Sequence, residues 1–262
     1  REGKIESVNQ KVCEFIPGFL VGEKEKITIK HLLTMSAGLN WTEDYYNPVG
    51  QTSEAYFGND LRGLVVDLKS VAPPGQVFKY HSSCSQLLAF IIEKAVGKTI
   101  SEYASEKLWR PMGAKHPALW SLDKKNGDEK AFCCINSNAR DFARLGKLYL
   151  HNGNWNGLQI IDSSYAKEAT SAAILTNDYG QKNTNYGYQF WLTKRSGFDI
   201  YYARGVWGQY VICIPEKDMI IVRLGKNYGI HLGFNDSSFN EVGAKIINDE
   251  NELIKNSDIL VQ

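Results

Sequence analysis

The hydrophobic period of this chain changes once, near Tyr186, and that change limits the fold more than any other feature. Before it, apolar residues recur at three- and four-residue spacing. The stretch 82–96 carries Leu87, Leu88, Phe90, Ile91, Ile92 and Ala95 and is ended by Gly97, which predicts a strong helix. A second helix is expected over 100–108, stopped by Pro111, and a third over 137–151, with Phe142, Leu145, Leu148 and Tyr149 on one face and Gly153 closing it. Thr28 or Thr34 is placed to cap a short helix through His31-Leu32-Leu33, and Asp162 or Ser163 one over 162–172. After Tyr186 the runs are short, β-branched and aromatic: 188–192, 198–203, 209–214 and 219–224, the last two joined by the turn residues Pro215-Glu216-Lys217-Asp218. That pattern predicts an antiparallel meander. A final helix over about 238–254, with Phe239, Val242, Ile246 and Ile247 on one face, is long enough to cover the sheet. Helices, then strands, then a covering helix indicate an α+β domain, expected to run over 1–262 with a helical region at about 28–172 and the sheet and last helix at about 186–255.

Charge says little about partners. Thirty Lys+Arg against 29 Asp+Glu leave a formal charge of +1, so no field favours nucleic acid or an anionic membrane surface. No stretch approaches the ~18 to 20 apolar residues of a spanning helix. The cysteines Cys13, Cys84, Cys133, Cys134 and Cys213 are odd in number and lack C-x-x-C spacing, and the vicinal pair is not expected to close on itself; reduced, mostly buried thiols follow. The histidines are scattered without ligand spacing, so no metal and no other cofactor is expected. Oligomeric state and compartment are not readable.

Two stretches carry residues suited to chemistry. In Gln76-Val77-Phe78-Lys79-Tyr80-His81-Ser82, Tyr80 sits where a loop meets the N-terminus of the helix starting at Ser82. The helix dipole and free N–H groups there would lower the phenol's pKa and make Tyr80 a candidate general base; the plainer alternative is a ring packed on the helix with its hydroxyl on backbone. In Tyr202-Ala203-Arg204-Gly205-Val206-Trp207-Gly208-Gln209, two glycines interrupt a strand pattern. An edge strand there could supply half of an oxyanion hole through the Val206 N–H; the alternative is an ordinary hairpin turn. Trp41, Tyr45, Tyr46 and Trp207 are candidates for apolar walls, Trp207 the favoured one.

These stretches, with the upstream Ile27-Thr28-Ile29-Lys30-His31-Leu32-Leu33-Thr34-Met35-Ser36-Ala37-Gly38-Leu39, Leu108-Trp109-Arg110-Pro111-Met112-Gly113, Ala139-Arg140-Asp141-Phe142-Ala143-Arg144-Leu145-Gly146 and the Pro215 turn, resemble the penicillin-recognising serine hydrolases. That group includes class C β-lactamases, D-alanyl-D-alanine carboxypeptidases, esterases and 6-aminohexanoate-dimer hydrolase. The resemblance implies a β-lactamase/transpeptidase-like fold, a Ser-x-x-Lys nucleophile, a Tyr-x-Asn or Tyr-x-Ser element and a Lys-Thr-Gly-like strand, acting on a small ester or amide. Tyr80 and Ser82 match the second element, with Ser82 orienting substrate. Ala203-Arg204-Gly205 occupies the third without its lysine, which looks more like the esterase and amide-hydrolase branch, with Arg204 as substitute cation. Val206, Trp207 and Gln209 complete the set of substrate-binding and oxyanion candidates.

In such enzymes the nucleophile precedes the segment resembling Glu2-Gly3-Lys4-Ile5-Glu6-Ser7-Val8, so it is expected upstream of this chain, and residues 1–262 alone are expected to be inactive. Serine and lysine at i and i+3 share one helix face, which lets the amine take the hydroxyl's proton. Ser121-Leu122-Asp123-Lys124 and Ser164-Tyr165-Ala166-Lys167 fit the spacing but read as solvated loop and helix-capping sequence. Two readings stand: an acyl-enzyme hydrolase completed by an upstream serine, or a non-catalytic module of the same fold that binds peptidoglycan-like peptides or acyl amides. On the first, residues 1–262 without that helix should expose an apolar groove and be unstable or self-associate.

Overall fold

The computed structural model describes residues 2–206 and 208–224. The helix expected over 238–254 and Trp207 lie outside the described residues. Seven α-helices precede the main sheet: α1 (Ile29–Leu33), α2 (Gln51–Phe57), α3 (Leu61–Val66), α4 (Ser82–Val96), α5 (Ile100–Ala104), α6 (Ala139–Leu150) and α7 (Ser163–Ala169). Four strands follow, β1 (Trp191–Arg195), β2 (Phe198–Gly205), β3 (Gln209–Ile214) and β4 (Met219–Arg223), in the antiparallel order β4-β3-β2-β1. The fold is α+β, helices followed by an antiparallel meander.

The helices start and stop where their residues demand. Thr28 caps α1 by accepting from the His31 N–H, while Gly97 closes α4 in the left-handed conformation at φ 68°. Asn138 caps α6, and Asp162 caps α7 with two backbone N–H groups. The helix expected over 100–108 divides: past Ala104 the chain continues as a π turn, Ser105–Trp109. Helices α2 and α3 carry no clear apolar period, which is why the sequence does not announce them.

Two apolar clusters hold the molecule. The larger gathers Val12, Phe19 and Ile27 from the N-terminal coil, Leu32 from α1, Val65 from α3, and Leu87, Phe90 and Ile91 from α4, with Tyr186. The smaller joins Ala143 of α6 to Tyr201, Cys213, Ile220 and Val222 on one sheet face. Contact there is close at Gly146, where an added Cβ would stand 3.0 Å from Ile220 Cγ2 and 3.1 Å from Val211 Cγ1. Glycine is required for α6 to lie this near the sheet. Tyr149 and Phe190, ring centroids 4.6 Å apart, pack against both clusters.

Two expectations are corrected. Residues 188–190 are not strand: Gln189 is left-handed at φ 62°, the Gly187 N–H donates to Phe190 O, and the Gln189 N–H donates to Leu33 O. The chain turns there to dock on the end of α1, and β1 starts only at Trp191. The vicinal pair Cys133–Cys134 is a disulfide, its Cα atoms 3.7 Å apart and Cys134 left-handed at φ 71°, so the adjacent thiols do close on each other. Cys84 and Cys213 are free and buried, as reduced thiols packed among apolar neighbours.

Candidate active site

Loop 78–80 delivers Tyr80 to the mouth of α4. Its ring stacks on Trp191, the first residue of β1, with centroids 5.3 Å apart, and stands edge-on to Tyr186 at 6.2 Å. Phe78 completes the aromatic group, 5.0 Å from Tyr186 and 6.0 Å from Trp191. Trp191 pairs with Tyr202 and is the last rung of the β1–β2 ladder. Strand β2 runs on through Ala203, Arg204 and Gly205, which pair with β3. Beyond Tyr202, no described residue pairs with β2 on the β1 side.

β2 is paired on both sides only at Tyr201 and Tyr202; its last three residues pair with β3 alone and leave an edge on the β1 side. Those residues project beside the Tyr80–Trp191 stack, and Arg204 is near enough for its charge to act on the phenol. The backbone then turns: Gly205 pairs with Gln209, and Gly208 is left-handed at φ 81°, as a tight hairpin requires. Val206 is 40% exposed at that turn. Gln209 folds its side chain across Gly205, where a Cβ would meet Gln209 Oε1 at 2.5 Å. Arg204, Gly205, Val206 and Gln209 thus lie together at the hairpin end of β2 and β3, and the Arg204 charge links that end to Tyr80.

The phenol does not have the low pKa expected of a helix mouth. Burial pushes Tyr80 up to about 12, the Glu43 charge and Cys84 push the same way, and Arg204 pulls it back only in part. The helix mouth does not offset this, because the Ser82 N–H that would face a phenolate donates instead to Glu43 Oε2 at 2.8 Å. Ser82 itself is buried, and its hydroxyl donates to Glu43 Oε1 at 2.5 Å rather than pointing free toward a substrate. Neighbouring His81 is buried, its Nε2 has no partner, and desolvation lowers its pKa to about 4.

Glu43 is the residue the sequence did not single out. It also accepts from the Trp41 indole N–H at 2.7 Å and the Tyr45 hydroxyl at 2.6 Å. Trp41 is thus buried structure and not a wall, whereas Tyr45 and Tyr46 remain exposed. A carboxylate two residues from an aromatic on either side, in Trp41-Thr42-Glu43-Asp44-Tyr45, was the available signal.

Both internal Ser-x-x-Lys spans are engaged elsewhere. Ser164 donates to Asp162 Oδ1 at 2.5 Å as part of the α7 cap, and Ser121 lies in the loop that bonds back to Lys130 and Cys134. Among the described residues no group of three or more His, Cys, Asp and Glu could hold a metal ion, and no helix is long and apolar enough to cross a membrane.

The beta-lactamase family model matches residues 1–229. Among curated proteins the chain is 25% identical to the 6-aminohexanoate-dimer hydrolase of Paenarthrobacter ureafaciens, covering 85% of this chain and 60% of that protein. It is 23% identical to the N-acetylmuramyl-L-alanine amidase of Bacillus subtilis, covering 85% and 62%. The chain therefore spans about three fifths of these relatives. Among solved structures, a Bacillus anthracis protein provisionally described as a 6-aminohexanoate-dimer hydrolase superposes with a TM-score of 0.78 at 24% identity, over 97% of this chain and 66% of that one. The octameric penicillin-binding protein homologue of Pyrococcus abyssi gives 0.61 at 20% identity, over 93% and 62%.

Proposed function

This chain belongs to the beta-lactamase family, and from that premise we propose that its crevice serves a serine hydrolase that cleaves a small ester or amide through an acyl-enzyme. The nucleophile is the serine of a Ser-x-x-Lys helix carried by sequence preceding residue 1. The observation that supports this most is the convergence of the Tyr80 ring and the overhanging end of β2, with the Arg204 charge reaching the phenol.

The chemistry follows from that placement. The serine hydroxyl attacks the substrate carbonyl and its proton passes to the lysine amine, while the Val206 N–H and the serine's own N–H hold the oxyanion. A phenol with its pKa pushed up to about 12 keeps its proton at neutral pH, so Tyr80 suits the donor step. It protonates the leaving amine or alkoxide as the carbonyl re-forms and takes up the proton held by the lysine, so both side chains regain their starting state. It accepts a proton only when cations compensate the anion, and Arg204 and the lysine supply that charge. Water then attacks the acyl-enzyme by the reverse path. Arg204, on the exposed overhang, offers a fork to an acidic substrate group.

The second reading, a module that binds peptides or acyl amides without cleaving them, draws support from the full engagement of Ser82 with Glu43. One experiment separates the two. Full-length protein mixed with a chromogenic ester is expected to give a burst of one acyl group per chain, trapped on a serine followed three residues later by lysine. Binding without a burst would overturn the hydrolase reading.

A further inference from the structure

Within the crevice, both oxygens of the Glu43 carboxylate are doubly engaged. Oε1 accepts from the Tyr45 hydroxyl at 2.6 Å and from Ser82 Oγ at 2.5 Å; Oε2 accepts from the Trp41 indole N–H at 2.7 Å and from the Ser82 N–H at 2.8 Å. A carboxylate has about four lone-pair directions, and all are used. Capping α4 alone would take one of these bonds. The other donors, Trp41 and Tyr45, come from the segment that faces the helix mouth, thirty-nine residues earlier in the chain than Ser82 by the separation of the pair. One side chain thereby joins the loop to the helix beside Tyr80. Trp41 is 2% exposed and fixes the buried end of this clasp, whereas Tyr45 is 49% exposed and forms its outer end.

We infer that Glu43 is the positioning residue of this crevice, tying Trp41 and Tyr45 to Ser82 at the mouth of α4 and so fixing the place of Tyr80, the proton donor of the reaction, two residues before it. The inference rests on the hydrolase reading. Glu43 touches neither substrate nor nucleophile in this scheme and acts through the two hydroxyl-bearing side chains. Because Tyr45 Oη and Ser82 Oγ share Oε1, they are coupled: releasing one changes the acceptor available to the other. Substitutions at the three positions should then behave as a unit and not as independent losses.

The test is a set of mutant cycles on the full-length protein with a chromogenic ester. Glu43→Gln replaces an acceptor oxygen by an amide NH₂ and is expected to lower kcat about tenfold with KM changed less than about threefold, since the loss falls on geometry reached after binding. Adding Tyr45→Phe or Ser82→Ala to Glu43→Gln should cost less than about twofold more, and Glu43→Asp should recover part of the rate. Wild-type kcat in Glu43→Gln, or losses that simply multiply in the double variants, would overturn the inference. Should Glu43→Gln fail to fold, Tyr45→Phe and Ser82→Ala carry the test alone. Each is expected to lower kcat, and wild-type kcat in both would overturn it. A wild-type protein that never acylates removes the hydrolase reading and this inference together, whereas an active wild type with an indifferent Glu43 removes only the latter.

Discussion

The two sides of the proposed crevice are built in opposite ways. On the helix side, Tyr80 lies in an aromatic stack, Ser82 is held by Glu43, and His81 is sealed from solvent. On the strand side, Arg204 and Val206 are exposed at the end of a strand that has outrun its neighbour. The first side is fixed by burial and hydrogen bonds, the second by backbone pairing alone. Burial that makes a side chain rigid also raises the cost of charging it, so on the rigid side Tyr80 keeps its proton and His81 sheds one, while the open side supplies compensating charge.

The contrast is open to attack, most strongly at Tyr80. In the full-length enzyme, Tyr80→Phe keeps the ring stack and removes only the hydroxyl. Burst kinetics are expected to show acylation slowed about 10²- to 10⁴-fold, with the melting temperature little changed. An active Tyr80→Phe would leave the rigid side with a packing role only.

The next effect concerns stability. His81 has a folded pKa of about 4 against 6.5 unfolded, because burial disfavours its cation. Below pH 6.5 the unfolded chain binds a proton that the folded chain refuses, so stability falls as pH drops from about 6.5 to about 4 and levels off below. The loss should reach about 3 kcal/mol, readable as a lower denaturation midpoint that a His81→Gln variant does not share. A midpoint independent of pH over that window would mean the imidazole is not sealed.

The smallest effect belongs to the open side. Arg204→Ala is expected to cost about tenfold in kcat/KM for substrates bearing a carboxylate and little for neutral ones, measured on a matched pair of esters. Equal losses on both would show that Arg204 serves Tyr80 and not the substrate.

Much of the architecture was legible because it depends on local rules. Thr28, Gly97 and Asp162 act as caps and stops where their side chains and backbone freedom place them, and the alternating runs after Phe198 pair in register. The Tyr80 and Arg204-Gly205 stretches stood out for similar reasons. Pairwise, long-range facts were hidden. Nothing near Glu43 in sequence reveals that Ser82 will donate to it, and Tyr80's proton affinity depends on burial that only the packed molecule defines. Helices α2 and α3 were missed because they are too short, at seven and six residues, to show a helical period, and α3 carries a glycine and β-branched residues that disfavour helix. The turn at 188–190 was misread as strand because its aromatics suit either, and Gln189 adopts a backbone conformation unusual for its type.

That glutamine has a wider consequence. Its backbone N–H bonds Leu33 O at the end of α1, its side-chain amide reaches Leu32 O and Leu33 O at 3.3 Å, and its Oε1 accepts from Ser85 Oγ of α4 at 2.7 Å. Two residues later Trp191 opens the sheet and carries the Tyr80 ring. One amide thus ties the ends of α1 and α4 to the turn from which the sheet departs, so a shorter side chain there is expected to loosen that junction without touching Tyr80 or Arg204.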